Sequence, residues 1–128
     1  MPRAIAALLG LGLIPVAVVM LIEPALWYER FPGVVSSGPL NHHFVRDLGC
    51  AFLIAGASLF YAAIKPQNAN SLVIAAAGLL LLHATVHLGE GALSDHADWR
   101  AVDLGTVYLP AILAVACAIL WPRNKDLR

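Results

Sequence analysis

Four long apolar stretches dominate the sequence, at about residues 4–22, 43–64, 72–90 and 103–121. Each has roughly the 17–25 residues that an α-helix needs to cross the hydrocarbon core of a bilayer. Apolar residues make up 60% of the chain and charged residues only 12%, whereas a soluble domain has about 25% charged residues. The sequence therefore predicts one all-α membrane domain over residues 1–128, a four-transmembrane-helix bundle with up-down-up-down topology.

The formal net charge is zero, but the charges are sorted along the chain. If all four stretches span, five of the eight basic residues fall on one side: Arg3, Lys65, Arg123, Lys125 and Arg128. The opposite side holds seven of the eight acids: Glu23, Glu29, Asp47, Glu90, Asp95, Asp98 and Asp103. The positive-inside rule then places both termini in the cytoplasm. For a bacterial cell this predicts a multi-pass inner-membrane protein whose acidic connections face the periplasm.

The third apolar stretch carries titratable groups inside a span. His83, His87 and Glu90 are spaced i, i+4 and i+7, so on a helix they share one face. Ionisable groups within a span are costly, and they usually face the bundle interior or a functional site. This face is the first candidate for a site.

The start of the second stretch has a similar polar face. His43, Arg46 and Asp47 are spaced i, i+3 and i+4. In the predicted topology the second helix starts on the side of the membrane where the third helix ends. If the two faces turn toward each other, they form a pocket on the periplasmic side, which Asp103 would close from the fourth helix. The predicted ligand pocket is His43, Arg46, Asp47, His83, His87, Glu90 and Asp103.

Three chemical interpretations of this pocket remain open. A metal or haem site would use His83, His87, Glu90 and His43, because imidazole and carboxylate groups on facing helices suit Zn, Fe or Cu. Alternatively, Arg46 and the histidines would bind an anionic or quinone-type head group, with histidine exchanging a proton near neutral pH. In the third interpretation the polar groups only fix helix packing, in an accessory subunit without chemistry. Whether the protein is an enzyme is left open.

The partners expected from the sequence are the lipid bilayer, with further copies of the chain or a larger membrane complex as candidates. A nucleic acid is not expected, since there is no basic run. The connection between the first two spans, about 20 residues rich in Pro, Gly and Ser, is long for a loop without its own structure. We expect it to fold over the mouth of the bundle, and Asn41 to cap the second helix.

The segment NHHFVRDLGCAFLIAG, residues 41–56, resembles the small four-span bacterial membrane proteins of the DoxX-like group and related families of unknown function. In these proteins a polar turn with His and Arg precedes a Gly- and Ala-rich helix. The resemblance implies a four-helix inner-membrane bundle, and some members of the wider group are linked to quinone-coupled redox chemistry in larger complexes. It does not extend to the face of His83, His87 and Glu90, and it implies no particular ligand residues.

Overall fold

The computed structural model describes residues 1–93 and 102–122, and these residues form helices and connections with no strand. Helix α1 is Pro2–Ile22, and the short α2 is Pro24–Arg30. A 3₁₀ turn, Val35–Ser37, follows in the connection to α3, which is His42–Ile64. Helix α4 is Asn70–Leu93. A π-helical segment, Leu104–Tyr108, then leads directly into α5, Leu109–Leu120.

Prolines set the ends of three helices. The last helical residues of α1, α3 and α5 are each followed by one non-helical residue and then by a proline, at Pro24, Pro66 and Pro122. A proline pushes the residue before it out of the α region, so the helix cannot continue. At the start of α3 the predicted cap is confirmed: Asn41 Oδ1 accepts hydrogen bonds from the backbone N–H groups of His43 and Phe44, both at 3.1 Å.

Helices α1 and α3 form an antiparallel pair with a close crossing. A Cβ atom added at Gly10 would lie 2.7 Å from the backbone oxygen of Gly56, and one added at Gly56 would lie 3.0 Å from Leu13 Cβ. At each end of this helix pair an arginine of one helix donates a hydrogen bond to a backbone carbonyl of the other. Arg3 Nε donates to the Ala63 carbonyl and Arg46 Nε to the Leu21 carbonyl, each at 3.1 Å. Gly49 and Gly56 of α3 therefore serve close packing against α1.

The π-helical segment was not predicted. The Leu109 N–H donates to the carbonyl of Leu104, five residues back, instead of four. Pro110 explains the disruption, because a proline inside a helix has no N–H to donate and its ring clashes with the carbonyl four residues earlier, here that of Thr106. The wider turn accommodates this clash.

Three helical stretches, Pro2–Ile22, His42–Ile64 and Asn70–Glu90, are long and apolar enough to cross a membrane. The last, Leu104–Leu120, is apolar but shorter, with 17 residues when the π segment is included. The predicted helices are thus confirmed as three long apolar helices plus a shorter one, with boundaries close to those expected. Two predicted cytoplasmic markers, Arg123 and Lys125, and the terminal Arg128 lie outside the described residues.

Packing differs between the two ends of the bundle. At the end that holds Arg3, α1 and α5 are in contact: Cys117 Sγ lies 3.4 Å from the Pro2 carbonyl, and Ala6 and Ala114 are fully buried. At the other end, the same helices line an open space instead. The bundle is therefore solid at one end and hollow at the other.

Candidate functional site

A cavity of about 1240 Å³ occupies the hollow end of the bundle. Its walls come from the middle of α1, from α2 and the connection after it, from α3, from the second half of α4 and from the π segment. Most of the lining is aliphatic or aromatic, with Leu13, Leu48, Phe52, Leu80 and Val107 among its side chains. The titratable side chains in the lining are those of His83, His87, Glu90 and Asp103, together with the phenols Tyr28 and Tyr108.

His87 and Asp103 form the best-defined polar contact of the cavity. His87 Nδ1 lies 3.1 Å from Asp103 Oδ2, with the two side chains 30% and 19% exposed. The contact joins α4 to the residue just before the π segment. A carboxylate has only hydrogen-bond acceptors, so Asp103 as a carboxylate requires the proton of His87 to be on Nδ1. The predicted role of Asp103, closing the pocket from the fourth helix, matches this placement.

His83 lies one turn deeper on the same face of α4. Its ring meets the ring of His87 edge to face, with centroids 4.6 Å apart, and meets Phe52 of α3 in the same way at 5.2 Å. It has no hydrogen-bond partner within the part of the chain that the structure describes. The two imidazoles therefore line the cavity one above the other, as their spacing predicted, and His83 is held by an aromatic contact.

The polar face at the start of α3 points elsewhere. His43 Nε2 pairs with Asp47 Oδ2 of its own helix at 3.4 Å, and these side chains are 88% and 64% exposed. Arg46 is occupied by the Leu21 carbonyl of α1. None of the three lines the cavity, because the face of α3 that does so carries Val45, Leu48 and Phe52. Of the seven predicted pocket residues, the structure thus brings together four: His83, His87, Glu90 and Asp103.

The predicted metal-binding set is not assembled. Among residues 1–93 and 102–122, no three His, Cys, Asp or Glu side chains are close enough together to hold a metal ion. His43 lies outside the cavity, and Glu90 does not complete a group with the two imidazoles. Within the described residues the imidazoles of His83 and His87 are neighbours, and the Asp103 carboxylate is already hydrogen-bonded to His87.

The connection between α1 and α3 covers part of the cavity, as expected. Tyr28 of α2 fastens it: the phenol donates to the Gly38 carbonyl at 2.6 Å and lies 3.2 Å from the Val35 carbonyl. Trp27 and Phe31 stack with ring centroids 5.5 Å apart and also line the cavity. The indole N–H of Trp27 is buried without a partner among the described residues, whereas buried donors are normally paired.

The sequence-based prediction missed several wall residues. Trp27, Tyr28, Phe52 and Tyr108 line the cavity but were not among the predicted pocket residues. Phe52 could have been found, because it lies on α3 seven residues from Val45 and four from Leu48, which is one helical face. Tyr108 could not, because the π segment shifts the register between Asp103 and the rest of its helix.

Comparison with known proteins gives no match to a protein family, to a curated protein or to a solved structure. The DoxX-like resemblance of residues 41–56 therefore stays a prediction. The basis for a functional proposal is the cavity and the His87–Asp103 pair in its wall.

Proposed function

We propose that this chain is a four-span bacterial inner-membrane protein, with both termini in the cytoplasm, that binds an amphipathic, quinone-type ligand in its cavity. The ligand's polar head would lie at His87 and Asp103, and its apolar part against α1 and α3. The observation that carries the proposal is the pairing of a large apolar cavity with a hydrogen-bonded His–Asp pair in its wall. Ligand sites are typically apolar hollows with a few placed polar groups.

A further feature of the cavity supports a bound molecule. His87 in its wall is an imidazole, the side chain that most often transfers a proton to or from a bound group in proteins. A proton-transfer or redox role for the bound head group is therefore part of the proposal.

A transition-metal site is not favoured, because the described residues hold no group of three ligands. Haem is a separate case, since a single proximal imidazole can hold it, and two imidazoles line this cavity. Metal analysis and a visible spectrum of the purified protein separate these cofactors from an organic ligand. A Soret band that disappears in His83→Ala or His87→Ala would replace the quinone-type proposal with haem binding.

Charge placement and the arginine contacts support the proposed orientation. Arg3 and Lys65 lie at the same end of the α1–α3 pair, because Arg3 donates to Ala63, two residues before Lys65. The cavity, the His–Asp pair and Asp47 lie toward the opposite end. If all four helices span, five of the eight Lys and Arg residues fall on the Arg3 side, and Arg30, Arg46 and Arg100 fall on the other. By the positive-inside rule the Arg3 end would then face the cytoplasm, and the cavity would lie in the periplasmic half.

The direct test is titration of the purified protein in detergent with a short-chain quinone and its hydroquinone, monitored by tryptophan fluorescence. Trp27 lines the cavity, whereas Trp121 is buried at the solid end. We expect saturable quenching that is lost in Trp27→Phe and weakened in His87→Leu. The control is His43→Leu, which changes a histidine outside the cavity and should bind as the wild type does. Quenching that never saturates would contradict ligand binding.

The second candidate function is a non-catalytic accessory subunit, and the His87–Asp103 contact itself favours it. This contact ties α4 to the last helix, and polar contacts between helices stabilise membrane bundles by about 0.6–2 kcal/mol each. In that case His87→Leu would lower stability while no probe saturates the wild type. A ligand that binds the wild type and is lost in a folded His87 variant would rule out this purely structural role.

A further inference from the structure

We infer that the ligand's head group carries a hydroxyl that donates a hydrogen bond to His87 Nε2, as a phenol or a hydroquinone does. This inference rests on the proposed function and names the ligand's chemical class. At the Nε2 atom of His87 it favours a hydroxyl over the carbonyl of a quinone.

The tautomer of His87 follows from its contact with Asp103. Asp103 Oδ2 lies 3.1 Å from Nδ1, and a carboxylate can only accept. In the neutral ring a proton on Nδ1 leaves Nε2 with a lone pair and no hydrogen. The carboxylate thus decides which nitrogen is the acceptor, as carboxylates do for histidines in many sites.

The Nε2 atom of His87 has no hydrogen-bond partner among the described residues. His87 lines the cavity, and its hydrogen bonding to the described residues consists of the contact with Asp103. His83, the neighbouring ring, meets His87 edge to face and not through a hydrogen bond. Within the described residues Nε2 therefore has no donor, and a ligand hydroxyl that reaches it from the cavity would supply one.

The cavity lining indicates the chemistry of the part of the ligand beyond its head group. The cavity lining is mostly apolar and aromatic, with Leu48, Phe52 and Val107 among its side chains. A neutral donor avoids the high cost of moving a charged ammonium from water into such a lining. A neutral hydroxyl on an apolar or aromatic body fits both the wall and the acceptor, which leaves lipophilic phenols and hydroquinones.

The test compares an alkyl phenol with its methyl ether, which have the same apolar body but differ in the donor. Both are titrated into the full-length protein in detergent at mildly alkaline pH, where histidine is ordinarily neutral. We expect the phenol to bind about tenfold more tightly, as the loss of one good hydrogen bond predicts. This wild-type comparison requires no variant to fold.

Two matched variants then locate the effect. Asp103→Ala should reduce the preference for the phenol, because without the carboxylate the ring proton is no longer held on Nδ1 and can move to Nε2, which then becomes a donor. Asp47→Ala alters the exposed His–Asp pair outside the cavity and should keep the preference.

Equal binding of both probes, or tighter binding of the ether, would overturn the hydroxyl inference but leave the ligand site standing. Binding of neither probe to folded protein would overturn both proposals. A phenol preference that Asp103→Ala leaves unchanged in folded protein would show that Asp103 does not set the acceptor, and the inference would fail.

Discussion

His87 Nδ1 and Asp103 Oδ2 lie 3.1 Å apart, although the two residues belong to different helical segments and are separated by a polar connection. The contact places a hydrogen-bonded pair of titratable side chains in the wall of a largely apolar cavity. A second His–Asp pair, His43 with Asp47, lies on one helix and is mostly exposed. The described residues thus contain a partly buried pair and an exposed pair of the same chemistry, and each is a control for the other.

The partly buried pair of His87 and Asp103 is expected to contribute to stability. Asp103→Ala should lower the free energy of unfolding by about 0.6–2 kcal/mol, because it removes a hydrogen bond between helical segments. Asp47→Ala should leave it near the wild-type value, because exposed pairs contribute little. Thermal denaturation of both variants in one detergent measures the difference. Equal losses would mean that the contact with His87 does not hold the last helix.

The close crossing of α1 and α3 predicts opposite effects for two glycines of one helix. Gly10→Ala would bring the new Cβ to 2.7 Å from the Gly56 carbonyl oxygen and 2.8 Å from Phe60 Cβ. We expect a destabilisation of about 1–3 kcal/mol from this overpacking. Gly12 has nothing within 4 Å of a new Cβ, so Gly12→Ala should be neutral or stabilising by up to about 1 kcal/mol. Equal stability of the two variants would contradict the crossing.

The segment over the cavity is expected to depend on one phenol. Tyr28→Phe removes the hydrogen bond to the Gly38 carbonyl, so amide hydrogen exchange in residues 31–40 should become faster while exchange in α3 is unchanged. Tyr61→Phe is the control, because the hydroxyl of Tyr61 has no hydrogen bond within the described residues and its ring lies near Lys65. Unchanged exchange in Tyr28→Phe would show that the phenol does not fasten the segment.

The orientation can be tested by cysteine labelling in a background with Cys50 and Cys117 replaced by alanine. Val35→Cys, in the exposed connection before α3, should react with a membrane-impermeant maleimide in intact spheroplasts. Gln67→Cys, in the exposed turn between α3 and α4, should react only after the membrane is opened. The reverse pattern would invert the proposed topology.

The helices were predictable because their signals are local. Apolar length and the prolines after Glu23 and Lys65 fixed the extents of α1 and α3, and the Asn41 cap needed only its own sequence neighbourhood. The shared face of His83 and His87 followed from helical spacing. These features depend on residues a few positions apart, which one sequence displays directly.

The rotation of α3 about its own axis could not be predicted from the sequence in this way. His43, Arg46 and Asp47 share a face, as expected, but packing of Gly49 and Gly56 against α1 turns that face away from the cavity. The sequence shows which residues share a face, but the rotation of a helix is set by its neighbours. The metal prediction depended on that rotation, and the described residues do not assemble the set that it required.

The most direct test of the ligand site is photolabelling with a diazirine-bearing alkyl phenol, followed by mapping of the modified residues by mass spectrometry. The predicted result is labelling of cavity-wall residues such as Leu48, Phe52 and His87, and its suppression by excess unmodified alkyl phenol. Labels confined to outward-facing positions such as Ile54, Ile74 and Leu82, unaffected by the competitor, would show that the molecule only dissolves around the helices and would contradict a binding cavity.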